Sequence, residues 1–577
     1  MSGTKHISVA PHAKSNKFEI RRKLLLAVML LGMAVLAGRA VFLQVLDTQF
    51  LQQQGDRRHV GAVSVPAYRG KILDRNNEPL AISTPVESVW VNPKFFKKDE
   101  EATFRQAAKL LKVPSKKVNK LLKEGTTTRF SYLKRRINPL LAEKIKALQI
   151  SGVYFEREFK RYYPAGAVSA HVVGFTNVDD VGQEGMERGY EQSLKGIAGK
   201  KRVIRDGRRR VIKDKDVENI LAPVSGQDLV LSIDQRIQYL AFKALHEGFV
   251  KHKAFSASLV VLDAKNGEIL AAVNQPAFNP NTRKGLKASA VRNRAMLDVF
   301  EPGSVVKPFV VAAALEGGYV KENIQIETHG FYRVGRNLVK DVHNYGTMDL
   351  MHVLKKSSNV AVSKIALKMP REYFWDSYNQ LGFGLSANAG FPGEASGILL
   401  DFQRWHDFEH ATLSYGYGVA VSVLQLARSY TALADNGILH SVSILKRDED
   451  YDAKRVFSAD IAKKVTAMLE HVIKRDGTAY QARVDGYRVA GKTGTVKKAT
   501  AGGYADDRYL AVFVGLAPVS DPRFVIAVMV DEPSAGKYYG GLVAAPIFSK
   551  VMAGALRVYG IAPDKEETMP VLLTNEK

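Results

Sequence analysis

The chain has 577 residues, of which 46% are hydrophobic, with a formal net charge of +26 and no cysteine. That length exceeds a single core and predicts two or three mostly globular domains, and the apolar share excludes wholesale disorder. The lack of cysteine excludes disulfides, thiolate nucleophiles and thiolate metal sites.

The N-terminus sets the expected location. A tail carrying Lys5, Lys14, Lys17, Arg21, Arg22 and Lys23 against the single acid Glu19 precedes LLLAVMLLGMAVLAGRAVFLQVL, residues 24–46, broken only by Arg39 and Gln44. At about 1.5 Å per residue this stretch reaches roughly 34 Å, enough for a hydrocarbon core of about 30 Å. The basic flank predicts a cytoplasmic tail at 1–23, an anchor at 24–46, and everything beyond on the outer side. A cleaved signal peptide ending near VLA at 35–37 is the alternative, but it leaves the apolar continuation AVFLQVL without a purpose. Arg39 is expected to snorkel to the outer interface.

Further positive charge runs through KKDEEATFRQAAKLLKVPSKKVNKLLKEG and YLKRRINPLLAEKIKAL, both read as short amphipathic helices with solvated charges. No nucleic-acid module accompanies them, so anionic lipid, wall polymer or simple solubility accounts for the charge, and no nucleic-acid partner is expected. From 60 to 225 the texture is loop-like and rich in Arg, Gly and Pro. Arg69, Asp74, Arg75, Arg161, Glu184 and Glu187 in that region read as structural ion pairs.

A second domain is expected from about 226. Asp234 is a plausible N-cap, followed by one apolar helix face at Ile237, Leu240, Ala241, Ala244 and Leu245. SLVVLDAKNGEILAAVN is two apolar runs around Asn266-Gly267, a hairpin signal. The stretch 304–480 is largely helical in texture, and Asn436-Gly437 terminates one of its helices. Three strand candidates follow: YRVAGKTGTV, YLAVFVGLAPV and RFVIAVMVDE. Strands at both ends with helices between them predict an α/β chain of α+β type, built on one central antiparallel sheet packed by helices.

Ser-x-x-Lys occurs five times, at Ser2, Ser131, Ser304, Ser443 and Ser534. Only in EPGSVVKPF, residues 301–309, does a Pro-Gly turn lead into an apolar helix. There Ser304 is expected in the first turn, at the positive end of the helix dipole, with the Lys307 amine one turn on and within reach of its hydroxyl. In a desolvated cleft such a lysine loses charge and acts as a base. Downstream lie Ser357-Ser358-Asn359 and the chain's one Lys-Thr-Gly, Lys492-Thr493-Gly494.

These three elements in this order resemble the signature of β-lactamases and penicillin-binding proteins. RGKILDRNNEPLA, RYYPAGAVSAHVVGFTN, GQEGMERGYE and LSIDQRIQ are similar to landmarks of class B penicillin-binding proteins. VAGKTGTVKK and DEPSAGKYYGG resemble the division-specific, septal branch of that family in Gram-negative bacteria. The resemblance implies an elongated, non-catalytic pedestal at 47–225, a penicillin-binding transpeptidase domain at 226–560 and a C-terminal tail at 561–577. It also implies a single-pass protein of the inner membrane with a periplasmic catalytic domain.

Carried over by position, Ser304 is the acylated nucleophile and Lys307 its proton acceptor. Ser357 relays protons to the leaving group, and Asn359 bonds the substrate amide or Lys307. Lys492 and Thr493 border the pocket for the terminal carboxylate. Gly494 lets substrate lie along the strand edge. Thr495 adds to carboxylate binding and, with the backbone N–H of Ser304, forms the oxyanion hole.

Implied partners are peptidoglycan stem peptides, β-lactams, a membrane glycosyltransferase and other division proteins, with no cofactor and no metal. His171 and His343 lack metal-ligand spacing. Tyr415, Gly416 and Gly418 of LSYGYG suit either a cleft lining or a tight turn. The same machinery also serves serine β-lactamases, D,D-carboxypeptidases and β-lactam sensors. No Glu-x-x-Leu-Asn string is present to position a deacylating water.

Overall fold

The computed structural model describes residues 15–51, 54, 60–123, 127–204, 219–283, 285–448, 452–500 and 503–565. Lys5 and Lys14 of the basic tail, the Arg-rich string beyond Ile204 and the C-terminal tail beyond 565 lie outside the described residues. The chain divides into two compact units, 1–67 with 197–224, and 68–196 with 225–577.

In the first unit, α1 (Ser15–Val41) runs on into a π-helical turn at Phe42–Leu46. Lys17–Leu46 is long and apolar enough to cross a membrane, which fits a single-pass anchor. The Arg39 guanidinium lies 5.2 Å from the Phe42 ring centroid. The same unit contains a three-stranded antiparallel sheet of Val60–Val65, Gly199–Ile204 and Asn219–Leu221.

The second unit begins with β1 (Ile72–Leu73), β2 (Pro79–Val91), α2 (Glu101–Leu110), α3 (Ser115–Leu122), β3 (Ser131–Ile137), α4 (Pro139–Lys146) and β4 (Val153–Tyr162). β2 pairs antiparallel with β1, β3 and β4. Phe104, Ala107, Ala108, Val118 and Leu121 of the two amphipathic helices share a small core with Val89, Val91 and Leu133. YLKRRINPLLAEKIKAL is not one helix: its first half is β3 and its second half α4. Pro139 forbids helical geometry at Asn138, which turns extended and caps α4 by accepting from Leu140 N at 2.8 Å.

The acidic and basic residues of this region are structural, as their context suggests. Buried Glu187 accepts from Arg69 at 2.7 Å and Arg161 at 2.6 Å. Arg75 meets Glu268 at 2.9 Å, and Asp74 accepts from Gln235 N at 3.1 Å. Glu184 joins no ion pair among the described residues.

β5 (Leu229–Val230) pairs parallel with β1. Asp234 then caps α5 (Gln235–Lys251), accepting from Arg236 N at 3.0 Å. The predicted hairpin is β6 (Ser256–Asp263) and β7 (Ile269–Gln275). Gly267 sits at φ +73°, and a Cβ there would come 2.2 Å from Ser441 O. The helical middle contributes α6 (Lys307–Glu316), α7 (Leu350–Lys356), α8 (Asn359–Ala366), α9 (Val423–Ala434) and α10 (Ala459–Glu470). The chain then returns as β8 (Ala490–Thr500), β9 (Gly503–Ala517), β10 (Phe524–Asp531) and α11 (Ala545–Val558).

The central sheet has the order β7-β6-β10-β9-β8, antiparallel throughout and assembled from both ends of the sequence. Every residue of β6, β7 and β10 is buried, so helices cover both faces; α5, α9 and α11 pack on it. That double cover is why these strands read as continuous apolar runs without alternation. β8 is an edge strand, paired among the described residues with β9 alone.

Candidate active site

Ser304 lies in a 3-10 turn, Gly303–Val306, immediately ahead of α6. It therefore precedes the α-helix that it was expected to begin. Pro308 stands at the second helical position, where its missing N–H costs little. Two contacts seat the turn. Gly303, at φ +61°, packs where a Cβ would fall 2.4 Å from Val496 Cγ2 of β8. Tyr430 of α9 donates from its buried hydroxyl to Val305 O at 2.7 Å.

Lys307 is fully buried. Its Nζ donates to Ser357 O at 2.6 Å, Asn359 Oδ1 at 2.7 Å and Ser357 Oγ at 3.2 Å. Burial holds this amine well below the ordinary lysine range; the Lys492 charge lowers it further and the Asp341 carboxylate opposes both. Among the described residues no hydrogen bond joins Lys307 Nζ to Ser304 Oγ.

Ser357 ends α7 in the left-handed region, at φ +62°. This uncommon backbone for a serine aims its hydroxyl between two amines. Lys492, also fully buried, donates to Ser357 Oγ at 2.9 Å and to Thr493 O at 3.2 Å. Burial brings its pKa down to about 7. Asn359 opens α8, whose N-cap is Ser358.

Thr493, Gly494 and Thr495 follow Lys492 along the edge strand β8. Thr493 Oγ1 donates to Thr478 Oγ1 at 3.0 Å, and Thr495 Oγ1 accepts from Gly540 N at 3.0 Å. A Cβ on Gly494 would meet Pro302 O at 3.0 Å and Val305 Cγ1 at 3.2 Å, so glycine allows the serine turn and the strand to touch.

The structure thus gathers Ser304, Lys307, Ser357, Asn359 and the Lys492–Thr495 segment around one cleft. It adds residues that the sequence left unmarked. Asp341 accepts from Ser358 Oγ and Asn359 N, both at 2.5 Å, and from Val360 N at 3.1 Å, stapling the start of α8. Thr478 is the second addition. Gly416 belongs to a tight turn that packs on the serine: it accepts from Gly303 N at 3.2 Å. His171 is a core residue, its Nε2 2.9 Å from Ala290 O and its pKa lowered by burial to about 4.

A serine turn, two buried lysines whose pKa values burial lowers and an open strand edge define a serine-type acyl-transfer enzyme of α+β construction. Residues 257–553 match the family described as the penicillin binding protein transpeptidase domain, and 64–231 the penicillin-binding protein dimerisation domain. The chain belongs to the class B penicillin-binding proteins. It is 42% identical over 94% of its length to a probable peptidoglycan D,D-transpeptidase, PenA, of Neisseria meningitidis, covering 93% of that relative. It is 41% identical over 95% of its length to the peptidoglycan D,D-transpeptidase FtsI of Escherichia coli, covering 94% of it. The apo transpeptidase domain of Burkholderia pseudomallei penicillin-binding protein 3 aligns at 41% identity and TM-score 0.54, covering 58% of this chain and 98% of that one.

Proposed function

We propose that this chain is a peptidoglycan D,D-transpeptidase that cross-links stem peptides at the division septum and is acylated by β-lactams. The observation that carries the reading is the Ser357 hydroxyl held between the Lys307 and Lys492 amines beside the Ser304 turn. Ser304 Oγ attacks the carbonyl of the penultimate D-Ala, and its proton passes to neutral Lys307 Nζ. The oxyanion faces the backbone N–H groups of Ser304 and Thr495, donors of a kind that contribute about 10²–10³ in rate each. When the tetrahedral intermediate collapses, the terminal D-Ala amine leaves with a proton delivered through Ser357. An amine of a neighbouring stem then attacks the acyl-enzyme, forms the new amide and releases Ser304. Lys492, Thr493 and Thr495 hold the terminal carboxylate, and the open edge of β8 accepts the stem as an added strand.

In this reading residues 226–560 catalyse, and 47–225 form a pedestal that meets a membrane glycosyltransferase and other division proteins. The basic flank of the anchor supports a cytoplasmic N-terminus and a periplasmic catalytic domain at the inner membrane. The test is mass spectrometry after penicillin exposure with the labelled residue mapped, read beside the shape of depleted cells. The penicilloyl group is expected on Ser304 and absent from Ser304→Ala, and depleted cells are expected to elongate without septa. Label on Ser131, Ser443 or Ser534 overturns the site, and rounded cells overturn the septal assignment.

A further inference from the structure

We infer that Glu301 recognises a side-chain ammonium on the donor stem peptide, on the residue that precedes its D-Ala-D-Ala terminus. The inference rests on the transpeptidase reading and goes beyond it to which donor the site selects. Glu301 lies three residues before Ser304. Its Oε1 is fixed by two donors, Gly418 N at 2.8 Å and the Tyr504 hydroxyl at 3.0 Å. Its Oε2 is buried and meets no donor among the described residues. A buried carboxylate oxygen is normally hydrogen-bonded, and one left open beside a reactive centre calls for a donor supplied by a ligand.

Glu301 also lines a cavity of about 420 Å³ with Arg292, Arg294, Asp298, Lys498 and Asp531. Each of those other charged groups already has an ion-pair partner, two of them sharing one. Arg292 and Arg294 both pair with Asp298. Lys498 pairs with Asp531 at 2.9 Å. Lys497, on the same wall, pairs with Asp506 at 3.0 Å. The carboxylate oxygen left without a donor is Glu301 Oε2, which suits an ammonium.

The direction of the substrate brings the right residue there. With the terminal carboxylate at Lys492 and Thr493 and the acyl carbon beside Thr495, a stem laid along β8 advances about 3.3 Å per residue. Its preceding residue comes level with Lys497, which lines the same cavity as Glu301. The Tyr504 ring, whose hydroxyl reaches Glu301, lies against Tyr417 with centroids 5.2 Å apart. The chemistry supplies the cation. Cross-linking needs an amine on a neighbouring stem, and because stems are copies of one another the donor carries the same amine. A carboxylate that holds it selects stems of the right composition and keeps the amine away from its own acyl carbon.

The experiment compares two synthetic donor peptides ending in D-Ala-D-Ala, one with a free side-chain amine before that terminus and one with that amine acetylated. A hydrogen bond to a charged group is typically worth about ten- to hundredfold, so wild-type kcat/KM for Ser304 acylation is expected to favour the free amine by at least about tenfold. In Glu301→Gln, which keeps an acceptor for Gly418 and Tyr504, the ratio is expected to fall to about one. Glu301→Asp, which keeps the charge but withdraws it, is expected to fall between. Penicillin labelling of Ser304 in each protein is measured alongside. Normal labelling with no discrimination in the wild type, or with discrimination retained in Glu301→Gln, overturns the Glu301 assignment alone. No labelling of wild-type Ser304 overturns the transpeptidase reading, and this inference with it.

Discussion

Lys492 Nζ donates to Ser357 Oγ at 2.9 Å, across the cleft from the helix that Ser357 terminates. Because Lys307 Nζ stands 3.2 Å from the same oxygen, the hydroxyl has one hydrogen to share between two amines. Two ammonium groups would leave that hydrogen with no acceptor in the trio. A neutral Lys307 resolves the count: its two hydrogens serve Ser357 O and Asn359 Oδ1, and in that state the 3.2 Å contact runs from the Ser357 hydroxyl to the amine lone pair. Desolvation and the Lys492 charge both favour that neutral state.

Lys307→Ala should therefore slow acylation by penicillin by about 10²-fold or more, the usual contribution of a positioned base. Lys307→Arg should not restore it, since guanidinium keeps its proton and so cannot accept one from the serine. On the wild type, acylation should lose rate as pH falls through the depressed Lys307 pKa. Stopped-flow acylation of both variants and a pH profile check this; a near-normal Arg variant defeats the proton-acceptor role.

Lys492 gives a stability prediction whose sign follows from its burial. Its folded pKa of about 7 lies below the unfolded value of about 10.4, so between these pH values the unfolded chain binds more protons than the folded one. The Lys492 contribution to stability should thus improve as pH rises through that window. Urea unfolding of wild type and Lys492→Met at pH 7 and pH 9 should show the wild type gaining on the variant at the higher pH. Parallel behaviour would mean that the amine is not discharged by burial.

What the sequence made legible was local. Pro302-Gly303 ahead of an apolar run marked the serine turn, Asn266-Gly267 marked the hairpin, and continuous Val/Ala/Leu runs marked strands buried on both faces. Asp341 could not be found that way: it is a single acid in KDVHNYG, and its importance arises when the chain folds it onto the N-terminus of α8. The YLKRRI segment failed for the opposite reason. Its composition suits a solvated helix face, but Pro139 and pairing with β2 outweigh that preference.

Gly416 tests the contact that holds the nucleophile. It lies at φ +82°, and an added Cβ would fall 2.2 Å from Gly303 O and 2.4 Å from Gly303 N. Gly418 has the same φ, but its nearest neighbour would be Leu413 Cδ2 at 3.8 Å. Both alanine variants bear the backbone strain, of order 1–3 kcal/mol; only Gly416→Ala also displaces the serine turn. Gly416→Ala should lose at least about tenfold in acylation rate, a drop of the size expected when a catalytic group is misplaced by a fraction of an ångström, and Gly418→Ala much less. Equal losses in melting temperature and acylation for the two would show that strain alone matters.

The last prediction concerns water. A transpeptidase must keep its acyl-enzyme intact until a second stem peptide arrives, whereas a β-lactamase on the same scaffold must hydrolyse it. Hydrolysis needs a base that holds a water on the open face of the acyl carbonyl. The side chains gathered around Ser304 are already engaged: Lys307 with Ser357 and Asn359, Lys492 with Ser357 and Thr493, and Asp341 with the start of α8. None of these is a carboxylate left free to orient a water at the ester, and the open Oε2 of Glu301 belongs to the cavity assigned to the donor's side-chain ammonium. Penicilloyl-Ser304 should accordingly persist for many minutes, while a stem-like acyl group transfers preferentially to an added amine. Release of penicilloic acid followed over time, beside transfer to a stem-peptide amine, separates the possibilities. Turnover faster than about one per second, within the common enzymatic range of 1–10³ s⁻¹, would identify a β-lactamase. A stable adduct with no transfer to any amine would identify a sensor.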